Sequence, residues 1–190
     1  MKDFMLLIRS PKEIFCKERE NTSIIITVLI FLVTASISAW RTLIFAENTQ
    51  VTELLKKANI STMTNLPIAV VSICISLVIG VSILTVIMRT FVKGVDQIIV
   101  EKKNTKKLVY LAVLLPQIVT NIFNIIFYFS AKTMQPSYLS GMTSIYEAIV
   151  TAMLLYLILA RVVKAEKSAN IFPMLYILFH IITSLKSIMA

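Results

Sequence analysis

The sequence predicts an all-α integral membrane protein: a bundle of five transmembrane helices preceded by an interfacial helix. Three observations lead there. Of 190 residues, 57% are hydrophobic and only 15% charged, with a mean hydropathy of +0.85; a soluble domain carries about a quarter charged residues. Five apolar runs, at residues 23–40, 66–91, 108–129, 144–163 and 171–188, are long enough to cross a hydrocarbon core. From the end of the second run to the start of the third there are six cations, Arg89, Lys93, Lys102, Lys103, Lys106 and Lys107. Such a cluster stays on the cytoplasmic side, so the basic stretch 89–107 orients every other segment.

The net charge of +9 does not indicate nucleic acid. The cations sit in short segments flanking apolar runs, which is the pattern of membrane topology and not of a basic face. Cys16 and Cys74 are far apart, too few and too distant for a disulfide framework or a metal-ligand spacing. With three glycines in the whole chain, no glycine-rich phosphate loop is present. No cofactor is expected.

Residues 1–22 read as a cytoplasmic amphipathic segment ahead of the membrane domain, 23–190. Ser10-Pro11-Lys12-Glu13 has the form of a helix start, with a capping serine, proline in the first turn and a glutamate able to reach back. The first run ends in Trp40-Arg41, an aromatic and a cation suited to an interface. Ala35 and Ala39 form a small-residue pair that permits close helix approach. In the following loop, Val51, Leu54, Leu55 and Ala58 recur at helical spacing and predict a short surface helix.

The second run opens with Asn65 and Pro67 in capping positions, and Gly94 is suited to ending it. Ser72, Ser76 and Gly80, four residues apart, form a small-residue ridge expected to be the seam against a neighbouring helix. The third run contains Pro116 and the polar positions Gln117, Asn121, Asn124 and Tyr128, which share one helix face. Polar groups at membrane depth turn towards protein or water. In the fourth run, Ser144-Ile145-Tyr146-Glu147 fits a capping box near the outer interface, with Glu147 in the first turn; an acid inside the span is the alternative. The fifth run carries Tyr176, His180 and Thr183 on one face. This face is expected to meet Gln117, Asn121 and Asn124 across the bundle, with the lone histidine a satisfied interior residue.

With the N-terminus inside, fourteen of the nineteen Lys and Arg fall on the cytoplasmic side, leaving Arg41, Lys56, Lys57, Lys132 and Lys186 outside. That asymmetry predicts a multi-pass protein of the cell (plasma) membrane with a cytoplasmic N-terminus and an extracellular C-terminus.

Several short motifs carry a resemblance: Ser10-Pro11-Lys12-Glu13-Ile14-Phe15 before the first run, Asn104-Thr105-Lys106-Lys107 leading into a proline-bearing span at Ala112 to Pro116, and Tyr146-Glu147 opening the fourth. Together with five spans, they resemble the bacterial branch of the Ypt-interacting-protein (Yip) family. The longer soluble N-terminal region of the eukaryotic branch is absent, so roles in membrane traffic are not implied. The resemblance implies a non-enzymatic membrane protein. Some bacterial relatives accompany ABC exporters that protect against antimicrobial peptides.

The expected function is that of an accessory or assembly protein working through helix contacts with a membrane partner, such as ABC exporter subunits, or with copies of itself. Besides the bilayer, no nucleic-acid partner is expected. The alternative is the substrate-binding membrane subunit of a small-molecule importer, which is also small, basic and helical but commonly has six spans. Enzyme chemistry is not expected, because no paired-His, Glu-xx-His, Ser/Lys or Asp/Asp constellation falls at membrane depth.

Overall fold

The computed structural model describes residues 24–46, 66–100, 102–130 and 136–189. The expected N-terminal interfacial helix and the surface helix around 51–58 lie outside the described residues. What is described is helical: α1 (Ile24–Ala46), α2 (Leu66–Val95), α3 (Lys102–Ser130), α4 (Pro136–Leu157), a π-helical turn Ile158–Val163, and α5 (Glu166–Met189). Four of these, α2, α3, α4 with its π-turn, and α5, are long and apolar enough to cross a membrane. The apolar part of α1, Thr27–Leu43, is shorter.

The central helix is α3. It packs on α1 and on α4, α2 leans on α1, and α5 packs most extensively on α4. Phe31 meets Tyr110 edge-on at 6.4 Å and Ser38 meets Asn121, so α1 and α3 run in the same sense. The core is a layer of Met88, Val92, Leu111, Leu114, Leu155, Ile158 and Leu159, all fully buried. Outward faces are strongly apolar: on α2, Ile68, Val71, Ile75, Ile79, Ile83 and Val86 are all exposed, as a lipid-facing helix requires.

Several sequence expectations are corrected here. The basic stretch 89–107 is not one loop, because α2 continues to Val95 and α3 begins at Lys102; its cations sit mostly on helix ends. Gly94 does not end α2. The helix runs past it, Gln97 takes the left-handed conformation at φ 58°, and a Cβ at Gly94 would meet nothing within 4 Å. The fourth helix starts eight residues before Ser144, at Pro136, so the 144–147 capping box does not exist. Ser144 lies mid-helix, where its hydroxyl accepts a hydrogen bond from Ser184 of α5 at 3.1 Å.

The small-residue ridge of α2 is also corrected. Ser72, Ser76 and Gly80 are exposed, Ser76 bonds only its own helix at Ser72 O, and nothing lies within 4 Å of a Cβ added at Gly80. No helix of this chain is seated there among the described residues. Ala35 and Ala39, in contrast, are fully buried. Equal spacing of small residues marks a face that permits contact, but it does not say whether a partner occupies it.

At the basic end, where α2 stops and α5 starts, the chain closes on itself. The π-turn ends at Lys164 with φ 59°, and the Ala165 amide donates to Leu159 O at 2.9 Å, so α5 begins two residues later. Phe91 packs on Phe172 at 5.5 Å between ring centres. Asp96, just past α2, receives the Lys167 amide on Oδ1 at 3.2 Å and the Ser168 amide on Oδ2 at 2.9 Å. It thus caps α5 from a distant part of the chain, satisfying amides that the first turn leaves open. Hydrogen bonding by Ser168, then by the Lys167 amide, together with the Lys167 charge, holds the Asp96 carboxyl below its usual range, against a smaller opposing effect of desolvation. A depressed carboxylate stabilises the fold above its ordinary value of 3.8, and the contribution is lost as pH falls through the lower, folded-state value. Asp96→Ala is therefore expected to lower the melting temperature at neutral pH. The difference from the native chain should shrink below about pH 4; a gap of equal size at low pH would show that the carboxylate does not act as the cap.

Candidate functional site

The polar residues of α3 converge on the bundle interior and not on lipid. Asn121 and Asn124 are buried, 1% and 0% exposed. They lie three residues apart on one face, and they bond in two directions. Asn121 Nδ2 donates to Ser38 Oγ of α1 at 2.7 Å. Asn124 Nδ2 donates to Thr143 Oγ1 of α4 at 2.9 Å, and the Thr143 hydroxyl donates in turn to its own Leu139 O at 2.9 Å. One turn earlier, Thr120 Oγ1 donates to Glu147 Oε2 at 3.1 Å and lies 3.2 Å from Gln117 O. The result is a ladder of polar links tying α3 to α1 on one side and to α4 on the other.

The charge in this ladder belongs to Glu147 and Arg41. Glu147 is half-buried on α4, within electrostatic reach of Arg41 on α1 and of Tyr176 on α5. Opposite charges drawn from two helices attract each other, and the cost of taking both out of water offsets much of that attraction. Glu147 is accordingly an interior residue of its helix, bonded across to α3, and not a terminal cap. The two asparagine carbonyl oxygens and Gln117 Oε1 are buried without a hydrogen-bond partner among the described residues, so the ladder keeps spare acceptor capacity.

The expected meeting of the third and fifth spans is corrected. The partners of Asn121 and Asn124 are on α1 and α4, because α4 takes the place beside α3 and α5 packs chiefly on α4. Tyr176 is half-buried and does reach the site through α4. His180 lies against Tyr176 with the rings tilted, 4.4 Å between centres, and meets Phe179 edge-on at 5.9 Å, and it is half-buried. The Thr183 hydroxyl is exposed and bonds its own helix, at Phe179 O and His180 O. Tyr128, at the end of the α3 face, lies edge-on to Phe129.

Ser38, Thr120 and Thr143 belong to the site although the sequence did not single them out, and Arg41, expected only as an interfacial cation at the end of the first run, lies within electrostatic reach of it. Spacing held the signal. Thr34, Ser38 and Arg41 lie at i, i+4 and i+7 of α1, and Thr143, Glu147 and Thr151 at i, i+4 and i+8 of α4. Each set occupies one helix face. Among the described residues no group of three or more His, Cys, Asp and Glu side chains is placed to hold a metal.

The fold and this interior define a class: a chain helical over its described residues, with four helices long and apolar enough to cross a membrane, joined by polar links in the bundle interior. No family model, curated protein or solved structure matches the chain.

Proposed function

We propose that the protein is a non-enzymatic accessory or assembly component that works by lateral helix contact with a partner in the bilayer. The observation that carries this reading is the face of α2. This helix has the highest hydropathy of the four candidate spans, 2.8, yet only 11% of that window is buried. On its open side lies the Ser72, Ser76, Gly80 ridge, with free space around Gly80. A ridge of small residues lets a second backbone approach closely, and van der Waals packing then drives association.

The orientation belongs to the same proposal. Arg89, Lys93, Lys106, Lys107, Arg161, Lys164 and Lys167 lie on segments that meet at one end of the bundle, and this end is cytoplasmic by the positive-inside rule. In a plasma membrane the N-terminus is then inside and the C-terminus outside. The partner is an integral membrane protein, such as the membrane subunits of an ABC exporter guarding against antimicrobial peptides, or a second copy of this chain.

The test is capture of the tagged full-length chain from native membranes, comparing it with Gly80→Leu and Ser76→Leu. Both substitutions are expected to leave the purified chain melting at or above the native temperature while removing the captured partner or the self-association. Partner recovery equal to that of the native chain would show that α2 meets only lipid.

A further inference from the structure

Between the last turns of α2 and the segment that follows it lies a cleft of about 250 Å³. Val86, Arg89, Thr90 and Lys93 line it from the helix, Ile98 and Ile99 from the segment. Its chemistry is divided. On one side stand two cations one helical turn apart, Arg89 and Lys93, and no acid among the described residues lines the cleft. The Thr90 hydroxyl already donates to Val86 O at 2.9 Å, so the open donors are the guanidinium and the ammonium. Arg89 is half-buried. Its Nη2 lies 3.4 Å from Val100 O, long for a hydrogen bond, and its Nε has no partner among the described residues. A guanidinium carries five donors in a rigid fork matched to phosphate oxygens, so most of its capacity stays open.

On the other side the lining is apolar and bare. Val86 is 60% exposed and Ile99 84%, the highest value among the large hydrophobic side chains described. A soluble anion would pair the cations and leave Ile99 uncovered; a hydrocarbon chain alone would cover Ile99 and leave the cations unpaired. A molecule with phosphate next to hydrocarbon meets both sides at once. The position agrees with this. The helix has 30 residues, about 45 Å at 1.5 Å per residue against a hydrocarbon core of about 30 Å. Its charged last turns therefore stand at headgroup level, where anionic lipids gather beside basic segments. With two cations and no facing acid, the cleft also disfavours a zwitterionic headgroup, whose ammonium would be repelled.

We propose that this cleft seats one anionic phospholipid, its phosphate between Arg89 and Lys93 and the first carbons of its acyl chains on Val86 and Ile99. The seat rests on the membrane placement of α2 and not on the contact at Ser72, Ser76 and Gly80, so each can fail without the other.

The experiment is native mass spectrometry of the full-length chain in mild detergent, incubated with phosphatidylglycerol or with phosphatidylcholine of the same chain length. The native protein is expected to retain one phosphatidylglycerol in preference to phosphatidylcholine. Lys93→Gln should lower the retained fraction about fivefold, and adding Arg89→Gln should lower it about fivefold again, the effect of one cation at an anionic surface each time. Arg161→Gln removes the same charge at the same end but outside the cleft, and should bind as the native chain does. Ile99→Ser should weaken retention severalfold, because the acyl chains lose their apolar contact. Inorganic phosphate at the same concentration should displace nothing. Lys93 and Ile99 are exposed, so their variants keep the fold, and melting temperatures verify it. Equal retention of the two lipids, an equal loss in Arg161→Gln, or displacement by inorganic phosphate would each overturn the assignment. Unchanged retention with a lowered melting temperature in Lys93→Gln would do so as well, since the cation would then serve only the carbonyl end of α2.

Discussion

Glu147→Ala is expected to destabilise the bundle by about 1–3 kcal/mol, because it removes an opposite charge within electrostatic reach of the half-buried Arg41 guanidinium. Thr120 loses its acceptor on α4 at the same time. Arg41→Met should cost a similar amount for the mirror-image reason. The double variant Arg41→Met, Glu147→Leu should recover much of the loss, since replacing both charges by apolar groups of similar volume is close to neutral in buried pairs. Denaturant unfolding of the four proteins in one detergent gives the coupling energy directly. Additive losses in the double variant would mean that the two groups act independently and that α1 and α4 are not linked by charge.

The second large effect is expected at Ala39. With no exposed surface, its site leaves no space for three more carbons, so Ala39→Leu must push α1 away from its neighbours. Overpacking of this kind costs about 1–3 kcal/mol, and here the displacement also stretches the 2.7 Å bond between Ser38 and Asn121. Gly80→Leu has the opposite expectation. The added side chain enters open space, and replacing glycine inside a helix gains up to about 1 kcal/mol in propensity. Thermal unfolding of the two purified variants separates them: Ala39→Leu should melt well below the native chain and Gly80→Leu at or above it. Equal melting temperatures would show that α1 is not closely packed at Ala39.

The contrast between these two positions shows what could be read from the chain and what could not. Both lie in small-residue patterns, and both patterns are visible as spacing. Which of them meets another helix depends on how five helices are arranged, information that no local window contains. The polar face of α3 was legible for the same reason that its partners were not. Asn121 and Asn124 had to face inward, since amides are costly beside lipid, but the choice between α1, α4 and α5 follows from packing order. At Glu147 a local pattern misled. Ser144 to Glu147 has the form of a helix start, and only the earlier beginning of α4 at Pro136 moves the acid into the interior. The Asp96 cap escaped notice because donor and acceptor are separated by 71 and 72 positions.

That cap also bears on how the molecule is assembled. Synthesis proceeds from the N-terminus, so Asp96 has left the ribosome well before the residues of α5. When the last helix arrives, an acceptor for its open amides is already standing at the place where it must start. Besides its own flanking cations, Lys164 and Lys167, the incoming helix then meets a carboxylate on which only its N-terminal end can dock. The segment after α2 thus acts as a template for α5, and the order in which the chain is made becomes part of how that helix is aimed.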